Sequence, residues 1–245
     1  MESSEGTASR ARTARERARE EITEEILAAA RSRLERAGPS ELSLRAVARD
    51  VGMVSSAVYR YFPSRDELLT ALLVRAYDSL GASAESADDT IGDRSDGRSR
   101  WMATCRAVRS WAREHPHEYA LLYGSPVTGY AAPQDTVTPA TRVVVRLVEI
   151  VLASHEHVAH DPEPPPDAPA GFAASFGDAL AVVEHVAGRG LDAPPELVGR
   201  LLMAWSSLFG TISFELWGHL VGAVDDRDAY FDGVCARLWH DLGGH

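Results

Sequence analysis

The 245-residue chain contains no lysine and only two cysteines, Cys105 and Cys235. Two thiols so far apart make neither a disulfide framework nor a zinc site, so a reducing compartment, the cytoplasm, is the expected setting. The first residues are polar and charged rather than an apolar run, and no signal peptide is expected. No run of about 18 consecutive apolar residues occurs, so no membrane partner is expected. A Gly-rich phosphate loop, a nucleophile elbow and a spaced Cys pair are all missing, and the expectation is a protein with no cofactor that is not an enzyme. What the chain does have is a 45% apolar content, enough for a packed core and too much for global disorder.

The formal net charge of −11 argues against nucleic-acid binding if the chain is taken whole. Its distribution argues otherwise. Residues 1–75 carry thirteen Arg against twelve acids, whereas residues 76–245 carry twelve Arg against twenty-four. The acidic surplus lies in the second part. Every fixed side-chain cation is an arginine, whose planar fork suits phosphate and guanine better than an ammonium does. Codon bias in a GC-rich genome accounts for the missing lysine equally well.

No convincing strand pattern or internal repeat is present, and apolar residues recur at helical spacing, so the fold class is all-α. Residues 1–17 read as a disordered basic arm with Arg10, Arg12, Arg15 and Arg17; Arg19 follows. Such an arm can follow a phosphate backbone or be a solvated tail. A first helix is predicted over residues 18–37, with Ile22, Ile26, Ala29, Ala30 and Leu34 on its apolar face, ended by Gly38-Pro39. A short helix follows the N-cap Ser43 and buries Leu44, Val47 and Val51. Gly52 breaks it. A third helix is predicted over 55–61, stopped by Pro63. A fourth starts behind the capping box Ser64 and Glu67 and runs to about residue 80. Residues 82–100 read as a loop. Further helices are predicted over 101–115, 117–123, 138–157, 171–187, 195–220 and 227–242, with a Pro-rich loop at 161–169.

Two short helices joined by a tight Gly-containing turn form a helix-turn-helix. The run over residues 42–69, LSLRAVARDVGMVSSAVYRYFPSRDELL, closely resembles the DNA-binding signature of the TetR family of transcriptional regulators. The strong match covers residues 18–75. Val58 and Phe62, spaced i and i+4, face inward. That leaves Ser55, Ser56, Ala57, Tyr59 and Arg60 toward DNA. Two tyrosines flanking an arginine cannot all be buried on a short helix, which favours DNA contact over aromatic packing for Tyr59 and Tyr61. The resemblance implies phosphate contacts at Tyr59 and Tyr61 and further contacts at Ser43 and Arg45. One position departs from the pattern. Where family members often carry a Ser or Thr N-cap, this chain has Val54, leaving the cap to Ser55 or to a backbone group.

The resemblance implies an N-terminal three-helix DNA-binding domain over 18–65 and a larger helical ligand-binding and dimerisation domain over 66–245. It implies a homodimer on a palindromic operator, usually repressing, released by a small apolar effector. Residues 204–220, AWSSLFGTISFELWGHL, support pairing. Small residues (Ala204, Ser206, Ser207, Gly210, Ser213) alternate with large ones, and apolar side chains lie nearly all round the helix. An apolar pocket would draw on Trp101, Met102, Cys105, Trp111, Tyr119, Tyr123, Phe176 and Trp205, although core packing accounts for each of them too. The histidine clusters, His115 with His117 and His155 with His157 and His160, lack the paired Glu-x-x-His of a di-iron bundle, so no metal is expected. The alternative is a helical-bundle enzyme or metal-binding protein whose N-terminal helices are merely structural.

Overall fold

A computed structural model describes residues 14–155 and 194–244, with isolated positions between them. Their regular structure is helical, without a strand among the described residues. The chain divides into two compact units. The first holds residues 1–72 together with Val127–Tyr130, and the second holds the rest.

In the first unit, α1 (Ala14–Ala37), α2 (Leu44–Asp50), α3 (Ser55–Val58) and the start of α4 (Arg65–Asp89) surround a core of Ile26, Leu27, Ala30, Leu34, Leu44, Val47, Val58, Phe62, Leu68 and Leu69. Helix α1 begins four residues before the predicted start, because Ala, Arg and Glu favour helix over coil. Arg15 and Arg17 of the expected arm therefore lie on α1. The remainder of that arm falls outside the described residues. The Ser43 hydroxyl accepts from Ala46 N at 3.3 Å and that of Ser64 from Glu67 N at 3.1 Å, so both serines cap; the return bond from Ser64 N to the Glu67 carboxylate, which would complete the capping box, does not form. Gly52 sits at φ +68°. A side chain is strained there, and the turn between α2 and α3 needs that conformation. Tyr130 joins this unit through a 2.8 Å hydrogen bond between its hydroxyl and that of Thr70.

The second unit packs the rest of α4 with α5 (Gly97–Glu114), α6 (Pro116–Tyr123), α7 (Val137–His155), α8 (Pro195–Leu216) and α9 (Arg227–Asp241). The loop predicted over 82–100 is mostly helix: α4 continues to Asp89 and α5 begins at Gly97 behind the N-cap Asp96. Gly81 does not break α4, because α7 crosses there. A Cβ at Gly81 would lie 2.8 Å from Arg142 Cβ. Arg142 spans the crossing with bonds to Glu85 (2.6 Å) and Asp78 (2.9 Å). Close approach, not chain reversal, accounts for this glycine.

Helix α8 is long and apolar enough to cross a membrane by length and composition. Its apolar residues are interrupted by Ser, Gly and Thr, so it holds no consecutive apolar run of that length. One side of α8, with Leu197, Ala204, Leu208, Phe209 and Ile212, is buried in the core, and core helices pass the same test. The helix predicted over 171–187 lies mostly outside the described residues.

Candidate nucleic-acid interface

The turn into α3 is built from the inside. Val58 is fully buried and Phe62 nearly so, which locks the segment onto α1 and α2 and orients its remaining residues outward. Ser56, Tyr59 and Arg60 are exposed; Ser55, Ala57 and Tyr61 are half-buried. Ser43 and Arg45 are exposed at the start of α2. The proposed DNA-facing residues thus all have solvent access. Tyr61 is further fixed by the Arg19 guanidinium, 5.1 Å above its ring. No side chain caps α3. Val54 occupies the N-cap position, and only its carbonyl serves, accepting from Ala57 N at 2.9 Å.

Ion pairing decides which arginines stay available. Arg33 is bound to Asp50 at 2.6 Å, with Arg36 at 3.7 Å from the same carboxylate. Arg65 donates to the carbonyls of Leu42 (3.0 Å) and Pro39 (2.8 Å), clamping α4 to the segment before α2. By contrast, Arg19, Arg45, Arg49 and Arg60 are exposed and have no acidic partner among the described residues. Arg19 and Arg60 line a groove of about 280 Å³ together with Ile22, Met53 and Ala57. Arg49 is a cation that motif matching passes over; its exposure on α2 brings it in.

Most of the proposed pocket residues lie in or against one hydrophobic core of the second unit, where their direct partners form two groups. Trp101 and Cys105 are fully buried between α5 and α9. Trp101 Nε1 donates to Cys235 O at 3.0 Å, and its ring lies 6.0 Å from that of Trp239. Burial and the neighbouring Cys235 push the Cys105 thiol well up, which leaves it an unreactive core group. Trp111, also buried, donates from Nε1 to Ser79 Oγ at 2.9 Å and so ties α5 to α4. Met102 is half-buried against this core.

Tyr119 and Tyr123 form a second, aromatic group. Their rings lie 5.1 Å apart, and Tyr123 is 4.4 Å from Phe209, 6.2 Å from Tyr77. Trp205 reaches the same Phe209 at 6.1 Å from the exposed side of α8. The Tyr119 hydroxyl donates to Phe209 O at 2.8 Å and lies 3.1 Å from Ser213 Oγ. Burial pushes its pKa up to about 12, with the Ser213 contact opposing. The Tyr123 phenol is pushed up further by burial among these rings. Phe176 is half-buried. Among the described residues no three His, Cys, Asp or Glu side chains gather as a metal site. His115 Nδ1 instead meets Glu118 at 3.0 Å, and His157 and His160 fall outside the described residues.

Residues 26–72 match the family model for bacterial regulatory proteins of the tetR family, and residues 101–238 match that for the tetracyclin repressor-like C-terminal domain. The chain belongs to the TetR family. It is 42% identical over 236 residues to the HTH-type transcriptional regulator Rv1816 of Mycobacterium tuberculosis, covering 93% of this chain and 95% of that protein. The crystal structure of a regulatory protein, SCO4313, is similar over 93% of this chain and all of that one, with a TM-score of 0.75 and 31% identity. RolR, solved in complex with resorcinol, shares the fold at a TM-score of 0.50 and 15% identity, over 93% of this chain and 94% of that one. As a TetR-family member the chain is a DNA-binding transcriptional regulator, and its family role is regulatory rather than enzymatic.

Proposed function

We propose that the chain is a homodimeric repressor in the cytoplasm that binds a palindromic operator and is released by a small apolar effector. Residues 18–65 read the operator, residues 1–17, the last four of them already on α1, form its basic arm, and residues 66–245 sense the effector and dimerise. The observation that carries the DNA-reading role is the outward side of α2 with its N-cap, of α3 and of the turn over residues 59–61 that follows α3. There Ser43, Arg45, Ser55, Ser56, Ala57, Tyr59, Arg60 and Tyr61 have solvent access, beside arginines without acidic partners among the described residues. Free guanidiniums supply phosphate attraction, and the short α3 places its side chains in the major groove. Tyr59, 43% exposed, holds register by hydrogen bonding to phosphate. Tyr59→Phe removes only that hydroxyl. Operator affinity should fall about tenfold at fixed salt, the scale of a hydrogen bond to a charged group, with an unchanged melting temperature. Equal affinities would remove Tyr59 from the interface.

The exposed face of α8 supports the dimer. Met203 and Phe214 stand on it and Trp217 at its C-cap, with exposed Ser206 and Ser207 and an open Gly210 between Met203 and Phe214. A two-fold partner helix can approach closely over those small residues. The aromatic group of Tyr119, Tyr123, Phe209 and Trp205 supports a ring-shaped effector, as RolR binds resorcinol. The Tyr123 hydroxyl, with no hydrogen bond among the described residues, orients it. Small phenols titrated into the protein should quench Trp205 emission, and Tyr123→Phe should weaken the best of them about fivefold. If no phenol quenches, the effector belongs to another class.

A further inference from the structure

Among the described residues, the large apolar side chains left exposed fall in two places. Six lie in the stretch from α8 into α9; of these Met203, Phe214 and Trp217 were assigned to pairing above, and Trp205 belongs to the aromatic group. The other two are Tyr59 and Val54. Tyr59 has a hydroxyl to use in water. Val54 has none, and at 70% exposed it contributes nothing to the core of its unit.

Val54 does not help α3 form either. It holds the N-cap position without a side-chain hydrogen bond, where Ser, Thr, Asp or Asn would satisfy a free backbone donor. Folding and capping thus both leave this valine unexplained. Its surroundings are polar: Ser56, Tyr59 and Arg60 are the exposed residues that follow it. In the major groove every base edge offers donors or acceptors. Thymine alone adds an apolar group, its 5-methyl, and aliphatic side chains are what meet it.

We infer that Val54 reads a thymine in each operator half-site through that methyl group. The inference rests on the DNA-reading role proposed above and makes one base of the operator a consequence of one side chain. The contact joins two apolar surfaces and draws nothing from the backbone donors of α3.

The test begins by selecting bound duplexes from a random DNA library with the full-length protein. Each thymine of the selected sequence is then replaced by uracil, which removes only the methyl. The wild-type protein should lose about fourfold in affinity at one thymine per half-site, the scale of burying one methyl group. Val54→Ala should bind the thymine and uracil duplexes equally, at the wild-type level for uracil. Val54→Thr, which keeps a γ-methyl and restores a capping hydroxyl, should retain the thymine preference and melt higher. The inference is overturned if the selected half-site has no thymine sensitive to demethylation, or if wild type and Val54→Ala respond alike at every position. If folded protein selects no sequence even at low salt, what fails is the DNA-reading role itself.

Discussion

Replacing Asp88 with alanine is expected to destabilise the second unit by about 3–5 kcal/mol, the cost of removing one partner from a buried ion pair. Asp88 is fully buried near the end of α4. Arg100, itself buried, grips it with two bonds, Nε to Oδ1 at 2.8 Å and Nη2 to Oδ2 at 3.1 Å. Arg94 Nη2 reaches Oδ2 at 2.6 Å, and Arg146 Nη1 reaches the same oxygen at 3.1 Å. One carboxylate thus joins α4, α5, α7 and the connection between α4 and α5. Without it, Arg100 is a buried cation with no counter-charge. A thermal melt should shift down by roughly 10 °C. Asp89→Asn is the control, since Asp89 is exposed and only 3.7 Å from Arg146; its effect should stay within about 0.5 kcal/mol. Acidity provides a second readout. Burial opposes ionisation of Asp88, but the hydrogen bonds from Arg100 and Arg94 outweigh it and hold its pKa below the ordinary value. A depressed carboxylate stabilises the fold above its unfolded pKa and loses that contribution as pH falls through the folded one. The gap between wild type and Asp88→Ala should therefore narrow below the usual carboxylate range. A gap that is absent at neutral pH would show that the arginines find other partners.

Phe214→Asp should convert the protein to a monomer. Phe214 is 55% exposed on α8, so the fold of one chain scarcely depends on it. In a two-fold interface the substitution places two uncompensated carboxylates in an apolar contact. A regulator gripping both half-sites gains on the order of 10²–10⁴ in affinity from linkage alone. Affinity for the full operator should fall by at least about a hundredfold, while affinity for a single half-site stays the same. Sedimentation equilibrium reads the mass, and a titration on full and half operators reads the rest. A variant that keeps the dimer mass would move the interface elsewhere on the chain.

Local chemistry made much of the first unit legible. Ser43 and Ser64 cap because a hydroxyl three residues before a free N–H is within reach whatever the fold. Gly52 breaks α2 because its φ is positive, and Val58 and Phe62 turn inward because of their spacing. The same reasoning does not account for Gly81, which lies inside α4. There the residue that matters, Arg142, lies far along the chain, and only the crossing of α4 with α7 shows why a side chain is excluded. It also started α1 late, because Ala, Arg and Glu over residues 14–17 look like a polar arm when apolar spacing is the only guide.

Residue type alone grouped eight aromatic and sulfur side chains into one pocket. Packing separates Trp101 and Cys105, enclosed with Trp239 and Cys235, from Tyr119 and Tyr123, clustered with Phe209. Charge shows the same division. The sequence by itself determined an Arg-only chain with its acidic surplus in the second part, an all-helical fold and a helix-turn-helix register, since each depends on composition or on neighbours within a few residues. Tertiary structure decided which arginines remain free beside α3. Asp50 lies seventeen residues from Arg33, and the carbonyls that hold Arg65 are more distant still. Neutralisation acts over a few ångströms in space, and only the folded chain sets those distances.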